Sequence, residues 1–132
     1  MPAAKRRTNK SQEACPCEGN SLDRLIQPAI LACLATEPLH GYALVQRLGE
    51  VPTFIGQSPD LSGVYRVLNW LEEHGYIASA WDTSTSGPAK KTYHITPAGR
   101  KCLRTWVKTL GEYSRASAEL LRITRQAARR RG

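Results

Sequence analysis

The sequence predicts a mainly α, α+β domain: three helices, a β-hairpin and one long C-terminal helix. Three observations predict it. Apolar side chains recur at helical spacing at Leu44, Val45 and Leu48, and again at Val64, Val67, Leu68 and Leu71. A glycine stop at Gly75 is followed by two strand-like runs around a turn of Asp, Thr, Ser, Gly and Pro. A helical stretch opening at Thr96-Pro97 then carries a seven-residue repeat.

A chain of 132 residues that is 41% hydrophobic suits one small soluble domain, or one domain with arms. No apolar run approaches the ~18 residues that span a bilayer. The charged, polar N-terminus has no hydrophobic signal core, so a cytoplasmic protein with reduced cysteines is expected, with no membrane partner. The net charge is +8. Lys5, Arg6, Arg7 and Lys10 supply four cations at one end, and Arg122, Arg125, Arg129, Arg130 and Arg131 five at the other, which leaves the middle near neutral. Such tails either add salt-sensitive phosphate affinity or are simply solvated ends.

Residues 1–20 read as a disordered basic arm, being small, polar and aperiodic. Order is expected from Asn20 or Ser21, either of which can cap the turn Leu22-Asp23-Arg24-Leu25. Pro28 predicts a kink at Gln27 or a fresh start at Pro28. The run from Pro28 to Thr36 is apolar on nearly all sides and belongs inside the domain. Glu37-Pro38 ends it. A second helix runs from about His40 to Val51, with Gln46, Arg47 and Glu50 outside. Residues 52–59 form an extended connection. The third helix is capped by Asp60 and stops at Gly75. Its outer stripe, Ser62, Arg66, Asn69 and Glu73, is short-chained and polar; a plain solvated face is the alternative. Strands follow at Tyr76–Trp81 and Lys90–Ile95, and Thr96 caps the last helix with Pro97 at its first position.

The last helix is expected to reach about residue 128. Leu103, Leu110, Ser117 and Thr124 are each seven apart, as are Trp106, Tyr113, Leu120 and Ala127 three places later. That register predicts a dimer interface at Leu103, Trp106, Leu110, Tyr113 and Leu120, with packing inside one chain as the alternative. Gly111 interrupts the pattern. Three helices, a hairpin and a long fourth helix describe a winged helix-turn-helix with a C-terminal dimerisation helix. The expected division is an arm at 1–20, a DNA-binding domain at 21–95 and a dimerisation helix with basic tail at 96–132.

No chemistry-bearing cluster supports an enzyme. His40, His74 and His94 fall on three elements, and neither an acidic pair nor a phosphate loop occurs. His40 is either structural or a phosphate donor. No zinc-spaced cysteine pair exists, so no metal or cofactor is expected. Cys33 reads as a small core residue and Cys102 as structural. Cys15-Pro16-Cys17 would bind metal, sense oxidation or do nothing.

Pro38-Leu39-His40-Gly41-Tyr42, then Val64-Tyr65-Arg66-Val67-Leu68-Asn69-Trp70-Leu71-Glu72-Glu73-His74-Gly75-Tyr76-Ile77, resembles the PadR family of transcriptional regulators. Gly87-Pro88-Ala89-Lys90-Lys91-Thr92-Tyr93 and Ile95-Thr96-Pro97-Ala98-Gly99-Arg100 continue the likeness, which covers roughly residues 28–110. The short C-terminal part resembles the smaller members, with one dimerisation helix. The chain departs from the family at Leu61-Ser62-Gly63, where a proline, a small residue and threonine usually precede the tyrosine. Gly63 removes one side-chain contact from the start of the recognition helix.

The resemblance implies a dimeric repressor, released by a small molecule or another signal, on double-stranded DNA. The residues agree: the major groove admits one helix, and Arg and Asn pair bidentately with guanine and adenine. Ser62, Arg66 and Asn69 are the expected base readers. Tyr42 and Tyr65 are expected at phosphates, with core packing as the alternative for each. Lys90 and Lys91, beside the wing tip shaped by Gly87 and Pro88, are expected at the backbone or minor groove by family implication; a solvated edge strand is the alternative. A dyad would address a palindromic operator with half-sites about 34–36 Å apart. Trp106 and Tyr113, with the first helix, would line an apolar pocket for an aromatic effector, or else a plain dimer seam. The competing readings are a winged-helix protein-interaction module and a cysteine-based metal or redox sensor.

Overall fold

The computed structural model describes residues 25–51, 61–83 and 86–130. The arm, the caps expected at Asn20, Ser21 and Asp60, the connection 52–59, Cys15 and Cys17 lie outside them. Helix α1 spans Ile26–Thr36. It neither kinks at Gln27 nor waits for Pro28. Pro28 stands third in the first turn, where no backbone N–H has an intrahelical partner, so its missing donor costs no bond. Burial of Ile26, Pro28 and Ala29 outweighs the bias against helix before a proline.

After Pro38 the chain makes a two-residue strand, β1 (Leu39–His40), then α2 (Gly41–Leu48). Helix α3 spans Leu61–Glu73, β2 Ile77–Asp82, β3 Lys90–Ile95 and α4 Pro97–Ala128. The sheet is antiparallel in the order β1-β3-β2, with Leu39 opposite Tyr93 and Ile77 opposite Ile95. Strand β1 was not expected, because two residues are too few to show an alternation. The architecture is a winged helix-turn-helix with a long C-terminal helix.

Helix α1 is the centre of the core and touches α2, α3, β3 and α4. Ile30, Leu31 and Leu34 are buried against Leu44 and Leu48 of α2 and Val64, Leu68 and Leu71 of α3. Each such side chain contributes roughly 1.5–3 kcal/mol of burial. The stripes expected on α2 and α3 are the ones buried, with Val45 and Val67 at their half-buried edges.

Helix α3 ends as expected at Gly75, at φ +80°. The N–H of Tyr76 donates to the Leu71 carbonyl at 2.9 Å and that of Gly75 to the Glu72 carbonyl at 3.0 Å, the paired bonds of a left-handed glycine cap. The same corner starts α4. Thr96 Oγ1 donates to the Gly75 carbonyl at 2.6 Å and accepts from the Gly99 N–H at 3.0 Å, and the Thr96 N–H donates to the Tyr76 carbonyl at 3.2 Å. Gly99 is buried here, and a Cβ on it would overlap the Tyr76 carbonyl.

From this corner α4 runs 32 residues, about 48 Å, and passes through Gly111 unbroken. Cys102, Leu103 and Trp106 pack on the core; Val107 and the large apolar residues beyond it are exposed. No helix among the described residues is long and apolar enough to cross a membrane.

Two glycines of α4 should respond oppositely to one substitution. Gly99→Ala forces a Cβ into a backbone carbonyl and should cost about 1–3 kcal/mol or more. Gly111→Ala meets only the Arg115 guanidinium, at 3.7 Å, and should gain up to about 1 kcal/mol of helix propensity. Urea unfolding of both variants checks this; equal shifts would contradict the corner geometry.

Candidate nucleic-acid interface

The face of α3 turned away from the core carries Ser62, Arg66, Asn69 and Glu73, all exposed. Their spacing of three and four sets them opposite Val64, Leu68 and Leu71. Arg66 is the only cation of the helix. One turn beyond Arg66, Trp70 is 41% exposed and stacks on His74 with ring centroids 3.9 Å apart. His74 Nδ1–H donates to the Trp70 carbonyl at 2.8 Å and holds the stack in place.

Tyr65 flanks this stripe. It is half-buried against the core, and its hydroxyl end lies over Gly41, where any Cβ would overlap the ring and the hydroxyl. The glycine at the head of α2 is therefore the space Tyr65 occupies. Tyr42, by contrast, is 69% exposed, and its hydroxyl accepts from Gln46 Nε2 at 3.3 Å. Core packing is thus part of the role of Tyr65 and not of Tyr42.

The two wing lysines differ. Lys91 shares a strand face with Tyr93 and Ile95. Its Nζ lies 3.8 Å from Glu72 Oε1 on α3 and 5.5 Å from the Tyr93 ring centre. The other Glu72 oxygen accepts from Ser79 Oγ at 2.5 Å. Lys90 points to the opposite face, is exposed, and stands across from Asp82. His40, at the start of α2, has Nδ1 2.9 Å from Thr92 Oγ1 and Nε2 3.9 Å from Asp82 Oδ2, so its ring ties β1 to the hairpin.

These elements enclose a cleft of about 400 Å³ lined by His40, Gly41, Tyr42, Tyr65, Lys90, Lys91 and Tyr93. The structure thus gathers Tyr42, Tyr65, Lys90 and Lys91 into one cleft, and Ser62, Arg66 and Asn69 onto the adjoining helix face. The Lys91–Glu72 pair is half-buried and long at 3.8 Å, so it holds Lys91 only weakly.

Sequence reasoning missed two exposed aromatics here. Trp81 is 67% exposed and directly opposite Lys91 in the hairpin, and Trp70 is four residues after Arg66. The period-two pattern of β2 and the i+4 spacing in α3 would have found both.

On α4, Leu103 and Trp106 are half-buried against the same chain, whereas Leu110, Tyr113 and Leu120 are exposed. The expected aromatic pair is divided between two grooves. Trp106 lines one of about 280 Å³ with Pro28, Ala29 and Leu103, and Tyr113 one of about 420 Å³ with Ser117 and Leu120; Leu25 and Leu110 border both.

The family model for the transcriptional regulator PadR-like family matches residues 30–105. Solved structures resemble the chain as well. A proposed transcriptional regulator from Thermoplasma acidophilum is 31% identical, with a TM-score of 0.66 over 76% of this chain and 93% of that one. A PadR family regulator from Eggerthella lenta is 29% identical, with a TM-score of 0.64 over 76% and 85%. PadR of Bacillus subtilis, solved in complex with operator DNA, is 28% identical, with a TM-score of 0.56 over 64% and 46%. No curated protein matches.

Among the described residues, no group of three or more His, Cys, Asp or Glu could hold a metal ion. Burial pushes the thiols of Cys33 and Cys102 above the ordinary cysteine range. A raised pKa means less thiolate at a given pH, so alkylation of both should begin at higher pH than for free cysteine. Peptide mass spectrometry after iodoacetamide treatment at pH 8 reads this, and labelling as fast as free cysteine would contradict it.

Proposed function

The chain belongs to the PadR-like family of transcriptional regulators, and from that premise we propose that it is a cytoplasmic, homodimeric repressor that binds a palindromic operator and is released by a signal. One observation carries the proposal. The polar stripe of α3 adjoins a cleft where two tyrosines and two lysines converge from α2, α3 and the wing.

In this reading Arg66 and Asn69 enter the major groove and address base edges, with Ser62 beside them. Tyr42 and Tyr65 give hydroxyls to phosphates and set the register. Lys90 meets the backbone directly, while Lys91 exchanges Glu72 for a phosphate. Residues 21–95 form the reading unit and 96–132 the pairing arm. In the dimer, Leu110, Tyr113 and Leu120 leave solvent against a second α4, and Leu103 and Trp106 join that seam to each domain core. A planar aromatic effector would enter beside Trp106, between α1 and α4. The family consists of regulators, and no residue here is assigned an enzymatic step.

Footprinting upstream of the protein's own gene should show two protected half-sites. Arg66→Ala should weaken operator binding by about 1–3 kcal/mol, roughly 5- to 150-fold, and relax specificity at one base. Lys90→Ala should weaken all duplexes alike and flatten the salt slope by about one unit. An Arg66→Ala protein that footprints like the wild type would sink the assignment of α3.

The pairing arm has its own test. Leu110→Glu with Tyr113→Glu should give a folded monomer by light scattering that no longer protects the operator; a dimer of unchanged mass would remove α4 as the interface.

A further inference from the structure

Among the described residues, more than half of the Lys and Arg side chains lie on α4, away from the proposed operator contacts. Helix α4 holds seven of the 19 Lys and Arg residues against two Glu. Five cations of α4 and its C-terminal cap are spaced seven apart without a gap: Lys101, Lys108, Arg115, Arg122 and Arg129, and all five are exposed. At 1.5 Å per residue they recur about every 10.5 Å over about 42 Å, the length of about 12 base pairs. Among the described residues, Arg122 is the one of the five paired with an acid, Glu119 at 2.5 Å.

The stripe has a definite direction. It stands five places after Leu103 and Leu110 in the repeat, on the side of the helix opposite the seam they share with Trp106 and Tyr113. Leu103 and Trp106 pack on the core, so the stripe points away from the domain body that carries α3 and the wing. Pairing of two α4 helices along the seam leaves both stripes open. The positions beside it, Arg104, Thr105, Gly111, Glu112, Ala118, Glu119, Arg125 and Gln126, offer no large apolar side chain for an acidic protein or a lipid to bury.

We propose that the outer face of α4 is a sequence-independent binding surface for a second DNA duplex, separate from the one lying against α3, so that one dimer holds two DNA segments together. A long polyanion of uniform charge fits an evenly spaced cation row that winds only about 80° around its helix over four heptads, and neutralised phosphates release their counterions on contact. The proposal rests on operator recognition by α3 for the first duplex and on the stripe alone for the second.

The test saturates a bead-bound operator with full-length protein and then adds a fluorescent 30-base-pair duplex of arbitrary sequence. Wild-type protein should recruit it. The triple variant Lys101→Gln, Lys108→Gln, Arg115→Gln should stay on the operator, keep its helix content and mass, and recruit little. Gln matches Lys and Arg in helix propensity, so the fold should hold. No recruitment by the wild type, equal recruitment by the variant, or capture of anionic vesicles instead of duplex each overturns the proposal. If operator and scrambled beads bind alike, the α3 reading has failed on its own. The stripe is then judged by the salt slope on arbitrary duplex, which the variant should flatten by about 0.9 per engaged cation; an unchanged slope overturns it.

Discussion

The surfaces of this domain are oriented by the hydrogen-bonded corner at Thr96. One hydroxyl donates to the end of α3 and accepts from the start of α4, while the Thr96 N–H binds the carbonyl that opens β2. Gly99 lets the α4 backbone close onto that carbonyl with no side chain between. The recognition helix, the wing and the long helix therefore share one rigid joint. A change in the direction of α4 has a short, stiff route to the angle at which α3 is presented.

Charge and apolar surface are divided by element. The core is wholly apolar among the described residues, with α1 in its middle. Helix α3 contributes shape and hydrogen-bonding groups but a single cation. The wing adds the exposed Lys90 and, beside it, Lys91 leaning on Glu72. Among the described residues, most of the positive charge lies on α4. A charge-rich helix and a hydrogen-bonding helix are thus separate elements, and salt screens the first more than the second.

The large features were legible because their patterns are long. The stripes of α2 and α3, the stop at Gly75, the Thr96-Pro97 cap and a helix reaching Ala128 all follow from repeats or caps that several residues share. What escaped the sequence depends on pairs distant in the chain. The strand at Leu39–His40 exists only because β3 is there to bond it. The tether of Lys91 to Glu72 spans the hairpin, and the face each lysine occupies follows from a register no single strand reveals. Spacing alone could not show that Trp106 is also half-buried against its own core. At Pro28 a local rule gave way to burial.

The contact of Tyr65 with Gly41 bears on how this surface can change over time. The two positions occupy one volume: a side chain at 41 is admissible only if the ring at 65 shrinks or swings out. Position 41 cannot gain a side chain until position 65 has changed, so the pair constrains how α2 lies against α3. The exposed side chains of Ser62, Arg66 and Asn69 can be exchanged one residue at a time. The frame that holds those residues can be altered only by two coordinated steps, the first of which is unfavourable.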